Sequence, residues 1–304
     1  MPSILLIGDT IIDRDWVCMP KALSPEAPIV TWTVEKIIDR LGGAANVAAT
    51  LHAIKESYIN DMDIKYVGPI DSHAAHLFDS AGLLYLLDGR ITLKSPSIKN
   101  RIIFEYPYRQ VSRFDEDDNH CYPSEFMEQL PEVHVDICVV SDYSHNTITQ
   151  DLLHAIRKKS RNIIVDPRTM NLDFYDNCFD FIIPNRKEAL GLAKSIGYVT
   201  ADPISASQAI HGKTGKTVIL KKGSLGCSIF SGNEEMHLGP YRNGNPAIDP
   251  MGAGDTFVAT FASCFADLHG VEGSVIAANK LAGISVTKPG CFVPDRDSVR
   301  EALD

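Results

Sequence analysis

The chain has 304 residues, 44% hydrophobic and 22% charged, with a formal net charge of −10, which suits one large α/β domain or two small ones with a sizeable core. The acidic balance disfavours general affinity for nucleic acid or an anionic membrane, although a local site can still bind phosphate, and no apolar run approaches the roughly 20 residues of a membrane helix. Seven widely spaced cysteines, with no Cys-x-x-Cys, speak against a disulfide framework or a zinc site and for a reducing cytoplasm.

Apolar runs rich in Ile and Val alternate with helical patterns along the chain. Residues 4–7 read as a buried first strand, a poor signal peptide because no basic leader precedes them. Gly8-Asp9-Thr10-Ile11-Ile12-Asp13 then sets two acids just past that strand, where ligands bind in open α/β sheets. They suit sugar hydroxyls, or a solvated loop with capping acids. Residues 29–35 alternate with period two. Leu41-Gly42-Gly43-Ala44-Ala45-Asn46 opens a predicted helix over 44–55; the paired glycines allow close approach of a ligand, with Asn46 in the first turn, or simply shape a tight turn.

A strand at 64–67 and a helix over 72–81 follow, in which His73 and His76 read as a solvated face. Residues 99–106 and 110–114 look like a hairpin around Pro107. Alternation means one wet face and one covered face. These segments are therefore read as a small β lid, its strands inserted at about 14–40 and 90–115 of a single domain spanning 1–304. Such a lid could cover a substrate; its strand edges and apolar faces lead to the expectation of a homodimer. Asp115-Glu116-Asp117-Asp118 reads as a solvated acidic turn.

Further strands are expected at 136–140, 163–165, 181–183 and 218–220, and helices over 149–159, 186–193, 205–210, 254–268 and 274–287. Continuous apolar strands between helices indicate a mostly parallel sheet covered on both faces. Asn185 and Glu188 form a capping-box-like pair, adequate as structure alone, and could also organise magnesium with its waters. Lys221-Lys222-Gly223-Ser224-Leu225-Gly226 is a glycine turn with N–H groups to offer, or a hairpin into 227–230. Gly212-Lys213-Thr214-Gly215-Lys216-Thr217 is no P-loop: Ile210 occupies the required first glycine, and a helix precedes the turn where a strand should.

The most informative stretch is Asp249-Pro250-Met251-Gly252-Ala253-Gly254-Asp255-Thr256-Phe257. A glycine turn opening a buried helix presents unpaired N–H groups and the positive end of the helix dipole, an anion site. A carboxylate inside an anion site has a natural purpose in taking a proton from a hydroxyl that attacks a phosphoryl group. The plainer reading is a first-turn acid on a buried helix.

Taken in order, Gly-Gly-x-x-Asn, Asn-x-x-Glu, Gly-x-x-Gly and Gly-Ala-Gly-Asp make the chain resemble the ribokinase-like (PfkB) carbohydrate kinases over its whole length. The resemblance is strongest to the heptose-7-phosphate kinases, on Gly8-Asp9, Asp13-Arg14-Asp15-Trp16, Ser24-Pro25-Glu26-Ala27-Pro28, Arg113-Phe114-Asp115, Ser141-Asp142-Tyr143 and Val165-Asp166-Pro167. The Ser-Pro-Glu-Ala-Pro run is the most specific of these.

The resemblance implies a ribokinase-like three-layer α/β/α sandwich with a mostly parallel central sheet and a β lid. It implies ATP-dependent phosphorylation of the anomeric hydroxyl of a heptose 7-phosphate to the 1,7-bisphosphate, for ADP-heptose and lipopolysaccharide synthesis. Asp255 would be the base, with Gly252, Ala253 and Gly254 as the amide anion hole. Asp13, Gly42, Gly43, Asn46 and Asp142 would hold the sugar. Asn185 and, through water, Glu188 would serve magnesium and phosphate; Lys221, Gly223, Ser224, Gly226 and Gly254 would line the nucleotide. ATP and Mg2+ are implied, with a K+ requirement left open. A substrate phosphate calls for a cation, and Arg14, Arg101 and Arg113 are the candidates.

The chain departs from the family pattern at Met251, usually threonine, at Thr260, usually glycine, and at His145 and Asn146, usually Lys-Gly. Lys221 replaces a small hydroxyl residue. Bifunctional members carry a nucleotidyltransferase with a His-x-Gly-His motif, which these 304 residues lack, so a separate enzyme is expected for adenylyl transfer. The alternatives are a PfkB-type kinase of another sugar or nucleoside, and a catalytically silent nucleotide or sugar sensor.

Overall fold

The computed structural model describes residues 1–87, 95–105, 109–117, 123–128, 130, 132, 134–241 and 244–304. In chain order the elements are β1 (Ser3–Gly8), β2 (Thr10–Leu23), β3 (Val30–Gly43), α1 (Ala44–Ser57), β4 (Asp63–Val67), α2 (Ser72–Ser80), β5 (Ser97–Phe104), β6 (Arg109–Glu116), α3 (Pro123–Glu128), β7 (Val135–Ser141) and α4 (Gln150–Arg157). They continue with β8 (Ser160–Asp166), β9 (Phe181–Ile182), α5 (Arg186–Ser195), α6 (Pro203–Thr214), β10 (Thr217–Lys221), β11 (Cys227–Ser231), β12 (Glu234–Leu238), α7 (Ala253–Ala266), α8 (Gly270–Ser285) and α9 (Arg296–Leu303).

Eight strands form the main sheet in the order β12-β11-β10-β9-β8-β7-β1-β4. From β10 to β4 all neighbours are parallel, while β11 and β12 close one edge as an antiparallel meander. Successive side chains of a strand face opposite ways, and both faces here are covered. Ile4 and Leu6 of β1 enter one core, Leu5 and Ile7 the other; Ile137 and Val139 of β7 likewise part from Cys138 and Val140. The first core is completed by Phe78, Phe261, Leu281 and Val299 of α2, α7, α8 and α9, the second by Phe126, Leu152, Leu192 and Ile210 of α3 to α6. Burying side chains of this size contributes about 1.5–3 kcal/mol each. The result is the three-layer α/β/α arrangement expected from the sequence. Among the described residues no helix is long and apolar enough to cross a membrane, and all six described cysteines are free and buried.

The second sheet has the order β3-β2-β5-β6. The sequence reading put lid strands at about 14–40 and recognised alternation over 29–35; β2 begins earlier, at Thr10, and β3 runs on to Gly43. The β2–β3 pairing shifts register twice: Glu35 of β3 is passed over between the Val17–Lys36 and Cys18–Val34 pairs, and Lys21 of β2 between the Pro20–Trp32 and Ala22–Thr31 pairs. An extra residue of this kind breaks the period-two pattern by which a strand is recognised. The turn expected at Pro107 lies outside the described residues; β5 and β6, which flank it, are antiparallel. Two surface readings are corrected. His73 is not on a free face, because its Nε2 lies 2.9 Å from Asp39 Oδ2 and so ties α2 to the lid. Asp115 and Glu116 are the end of β6, where Glu116 accepts from Asn100 Nδ2 at 2.8 Å and Asp115 pairs with Arg113; Asp118 lies outside the described residues.

Candidate active site

Four parallel strands end on one side of the main sheet with Gly8, Ser141, Asp166 and Lys221, the side on which open α/β sheets bind ligands. Facing them are the starts of α1 and α7. Both helices begin at a glycine of positive φ, Gly43 at 56° and Gly252 at 73°, and neither has a side-chain cap. A Cβ on Gly252 would lie 2.8 Å from Asn46 Nδ2. Only glycine combines that backbone angle with that approach. Asp249 fixes the turn, accepting from Met251 N and from Gly290 N at 3.0 Å each.

Asp255 lies in the first turn of α7 and is buried. Its Oδ2 accepts from Asn46 Nδ2 at 2.9 Å, and its Oδ1 accepts from the Tyr143 hydroxyl. Burial pushes the Asp255 carboxyl up to about 6, against the pull of those two hydrogen bonds. A carboxylate poised there can accept a proton near neutral pH. Tyr143 is set in place by Asp9, whose Oδ2 accepts from Tyr143 N at 2.8 Å and whose Oδ1 accepts from Thr147 N at 3.2 Å. Asp9 is therefore a loop anchor, neither a sugar ligand nor a solvated cap. That loop carries Ser144 and Asn146 at φ 60° and 63°, and asparagine tolerates this conformation best after glycine, which accounts for Asn146 where the family pattern has glycine.

On the lid side, Asp13 packs against Gly42, where an added Cβ would meet Asp13 Oδ2 at 2.1 Å. Cys291 Sγ donates to the same oxygen at 3.0 Å, and burial holds that thiol well above its ordinary range. Arg101 donates from Nε to Asp15 Oδ1 at 2.8 Å and lies 3.6 Å from Asp13 Oδ1. Among the described residues, Asn46 Oδ1 and Arg101 Nη2 are buried without a hydrogen-bond partner. An acceptor left open on the residue that holds the base, and a donor left open on the residue beside Asp13 and Asp15, suit a ligand bearing hydroxyls.

The three arginines proposed from the sequence are not free cations. Arg14 makes a two-pronged pair with Asp39 at 2.7 and 2.8 Å, Arg101 is held by Asp15, and Arg113 pairs with Asp115 at 2.5 Å. Asp142 is also committed. It accepts from Ser144 N at 2.8 Å, Thr169 N at 3.0 Å and the Tyr175 hydroxyl at 2.6 Å. Its task is to join the loops after β7 and β8, and its place beside the cavity follows from that.

A cavity of about 730 Å³ opens next to Asp255, large enough for a nucleotide-sized ligand. Asn185, Glu188, Lys221, Gly223, Ser224 and Gly226 line it, together with Gly252, Ala253 and Gly254. The sequence reading missed its far wall, made by residues 240–241 and 245–247 and by Asn279, Ala282 and Gly283 of α8. A Cβ on Gly283 would lie 2.8 Å from Tyr241 O, so a glycine inside an apolar helix was the available signal. Tyr143 and Asp166 were also missed as site residues, although strand-end polar groups point to them. Thr260, at the usual glycine position, donates to Thr256 O at 2.7 Å and packs without an unpaired group.

Comparison with known proteins gives the family. Residues 93–297 match the model of the pfkB family carbohydrate kinases. The chain belongs to that family. It is thus a carbohydrate kinase, a phosphotransferase, and the silent-sensor alternative is set aside. The chain is 28% identical to the bifunctional protein HldE of Campylobacter jejuni over 98% of its own length and 64% of that protein, and 29% identical to HldE of Pseudomonas fluorescens over 99% and 63%. It therefore spans less than two thirds of these relatives. Among solved structures, a ribokinase of Thermotoga maritima superposes on this carbohydrate kinase with a TM-score of 0.77 at 23% identity, covering 100% and 99% of the two chains. An Arabidopsis thaliana ribokinase complexed with ribose and ATP gives 0.70 at 20%, covering 99% and 98%.

Proposed function

We propose that the protein transfers the terminal phosphoryl group of ATP to the anomeric hydroxyl of a heptose 7-phosphate, forming the 1,7-bisphosphate and ADP. The observation that carries the mechanism is the buried carboxyl of Asp255 at the uncapped start of α7, pushed up to about 6 by its burial. The hydroxyl gives its proton to Asp255 as its oxygen attacks the terminal phosphorus in line. The Gly252–Gly254 turn stabilises the charge that develops. Asp13, Asn46 and Arg101 hold the sugar, and closure of the lid excludes water. Residues 1–304 act as one kinase unit with the lid strands inserted in it. The choice of sugar is supported by the Ser24-Pro25-Glu26-Ala27-Pro28 run, with its resemblance to heptose-7-phosphate kinases, and by the likeness to the HldE proteins over nearly the whole chain.

Magnesium fits the site as an ion held mainly by water and nucleotide phosphate. Among the described residues no group of three His, Cys, Asp or Glu closes on a metal, and such an ion needs at most one or two carboxylates. Glu188 is buried in the cavity wall. Each of its oxygens accepts one bond from Asn185, at 2.7 and 2.5 Å, leaving lone pairs for a metal-bound water. When bound, magnesium neutralises charge on the transferring phosphates.

A second reading, phosphorylation of an uncharged sugar or nucleoside, is favoured by the pairing of Arg14, Arg101 and Arg113 with Asp39, Asp15 and Asp115. ADP release over a panel of heptose 7-phosphate, the free heptose, ribose, fructose 6-phosphate and adenosine separates the two. The first reading expects heptose 7-phosphate to lead in kcat/KM by at least a hundredfold; a lead by an unphosphorylated acceptor sinks it. The lid is also proposed to pair two copies. Leu23 and Ile29, at its tip, are 74% and 60% exposed, and Val34 and Phe114 are exposed on its strands. A Phe114→Glu variant that sediments as a monomer where the parent is a dimer supports this, and a monomeric parent ends it.

A further inference from the structure

One mostly buried cation lines the cavity without a part in the chemistry described so far, its side chain 14% exposed. Lys221 ends β10 beside the α5 cap, its backbone bridged to Asn185. Its ammonium is bonded to Asp166 and lies 3.6 Å from where a Cβ on Gly254 would stand. It therefore sits between the nucleotide wall and the turn on which the transferring phosphoryl group would collect. Three buried carboxylates, Asp166, Glu188 and Asp255, share this corner. Burial works against the charge on Lys221, but Asp166 and Glu188 outweigh it and hold the ammonium protonated above its usual range. Among the described residues the other cation at this wall is Arg168, 53% exposed and 3.8 Å from Glu188.

Without an inward-facing cation this corner would repel a polyphosphate. A lysine pairing only with Asp166 would be a costly way to fill space, since apolar residues often replace a buried ion pair without loss. An ammonium has three donors, of which Asp166 takes one among the described residues. Two remain for an anion arriving at the Gly252–Gly254 turn.

We infer that Lys221 is a catalytic residue whose ammonium binds the terminal phosphoryl group of the nucleotide and stays on it during transfer. This rests on the reading of Asp255 as base and adds a cation to the same centre. In the step the sugar oxygen–phosphorus bond forms and the bond from phosphorus to the β,γ-bridging oxygen breaks. The hydroxyl proton goes to Asp255 and the electron pair leaves on ADP. Lys221 donates hydrogen bonds throughout and keeps its proton. The lysine thus supplies, from the protein, a fixed positive charge where the family pattern has a small neutral hydroxyl.

The test uses calorimetric binding of ADP and of the β,γ-imido analogue of ATP to the full chain, together with single-turnover transfer to the accepted sugar. Lys221→Met leaves Asp166 buried and unpaired, so Lys221→Met/Asp166→Asn is made beside it, and Asp166→Asn alone measures what the acid contributes. In the variant that melts cooperatively, the imido analogue is expected to bind at least tenfold more weakly while ADP stays within threefold. Transfer is expected to slow by about 10²–10³-fold, as on loss of one strong donor to developing charge. Asp166→Asn alone should keep the preference for the imido analogue over ADP. Equal weakening of both nucleotides, no weakening of either, or transfer within threefold of the parent overturns the inference. So does failure of both Lys221 variants to fold while Asp166→Asn folds, because the lysine is then structural. Asp255→Asn is run in parallel: full transfer in that variant sinks the base assignment, whereas full transfer in the Lys221 variants alone sinks only the lysine.

Discussion

The helices α5 and α7 begin at the same cavity, and they are finished in opposite ways. Asn185 seals α5: its side chain accepts from Lys187 N at 2.9 Å and Glu188 N at 3.0 Å, and Glu188 answers onto Asn185 N at 2.7 Å. The start of α7 has a glycine at φ 73° and no side-chain cap. Its Ala253 N reaches Pro250 O only at 3.4 Å, a long contact for such a bond. A sealed helix end has spent its donors on itself and serves as a wall. An open one keeps them for an anion and forgoes the roughly 1 kcal/mol that a cap contributes. The difference predicts that damage at α7 shows in turnover and damage at α5 shows in stability.

The largest effect is expected at Asp255. Asp255→Asn should lower kcat by about 10²–10⁴-fold, the range for loss of a general base, with ADP affinity within threefold by calorimetry. The same change should stabilise the fold. A carboxyl raised from its usual value to about 6 gives its full stability below the unfolded value and loses it as pH rises through 6. At pH 7.5 the amide is expected to gain about 1–3 kcal/mol in denaturant melts, shrinking to nothing near pH 4. A variant that is both slow and less stable at pH 7.5 would break the picture of α7 as an end built against its own stability.

Next comes the turn. Gly252→Ala forces a side chain into positive φ and to within 2.8 Å of Asn46 Nδ2, displacing the residue that holds Asp255. A loss of about 10²-fold in kcat is expected, as for one oxyanion-hole donor. Activity within threefold would mean that the amides of this turn do not face the reacting group.

Smaller again is the pH response. The base works only when ionised, so kcat/KM should fall about tenfold per unit below pH 6. Tyr143→Phe removes one of the two hydrogen bonds that pull the Asp255 carboxyl down. The acidic limb should then move to higher pH, and a limb moving to lower pH would count against Tyr143 as a positioning residue for the base.

The same contrast explains what could be read from the sequence. The layers were legible because residues 4–7 and 137–140 are continuous apolar strands, which only a sheet covered on both faces requires. The Gly252–Asp255 turn and the Asn185–Glu188 box were legible because each is local, all its parts within four residues. What escaped the reading is assembled across the chain. Tyr143 meets Asp255 over 112 residues, and Cys291 meets Asp13 over 278. Arg14 and Arg113 looked available because their partners, Asp39 across the sheet and Asp115 two residues on, depend on the strand register. β2 falls in the expected lid region of about 14–40 but was not legible as a strand of its own, its alternation being broken at Lys21. Residue type and spacing announce a local motif; they are silent on which of two nearby charges is already paired.

The smallest effect on turnover is expected at the sealed end. Asn185→Ala removes both bonds of the cap and leaves Glu188, half of its hydrogen-bond partners gone, in the cavity wall. A lost cap of this kind costs about 0.5–2 kcal/mol, which at 304 residues should lower the melting temperature by only a few degrees. Asn185→Asp keeps an acceptor for Lys187 N and Glu188 N, so it should recover most of that loss, apart from the repulsion between its new charge and Glu188. Turnover of the alanine variant at saturating ATP and magnesium should stay within tenfold of the parent, with any change in the magnesium concentration needed for half-maximal rate reporting the freed Glu188. A fall in kcat comparable to that of Gly252→Ala, with melting unchanged, would show that α5 holds the phosphates as directly as α7 does, and the distinction between wall and anion site would have to be given up.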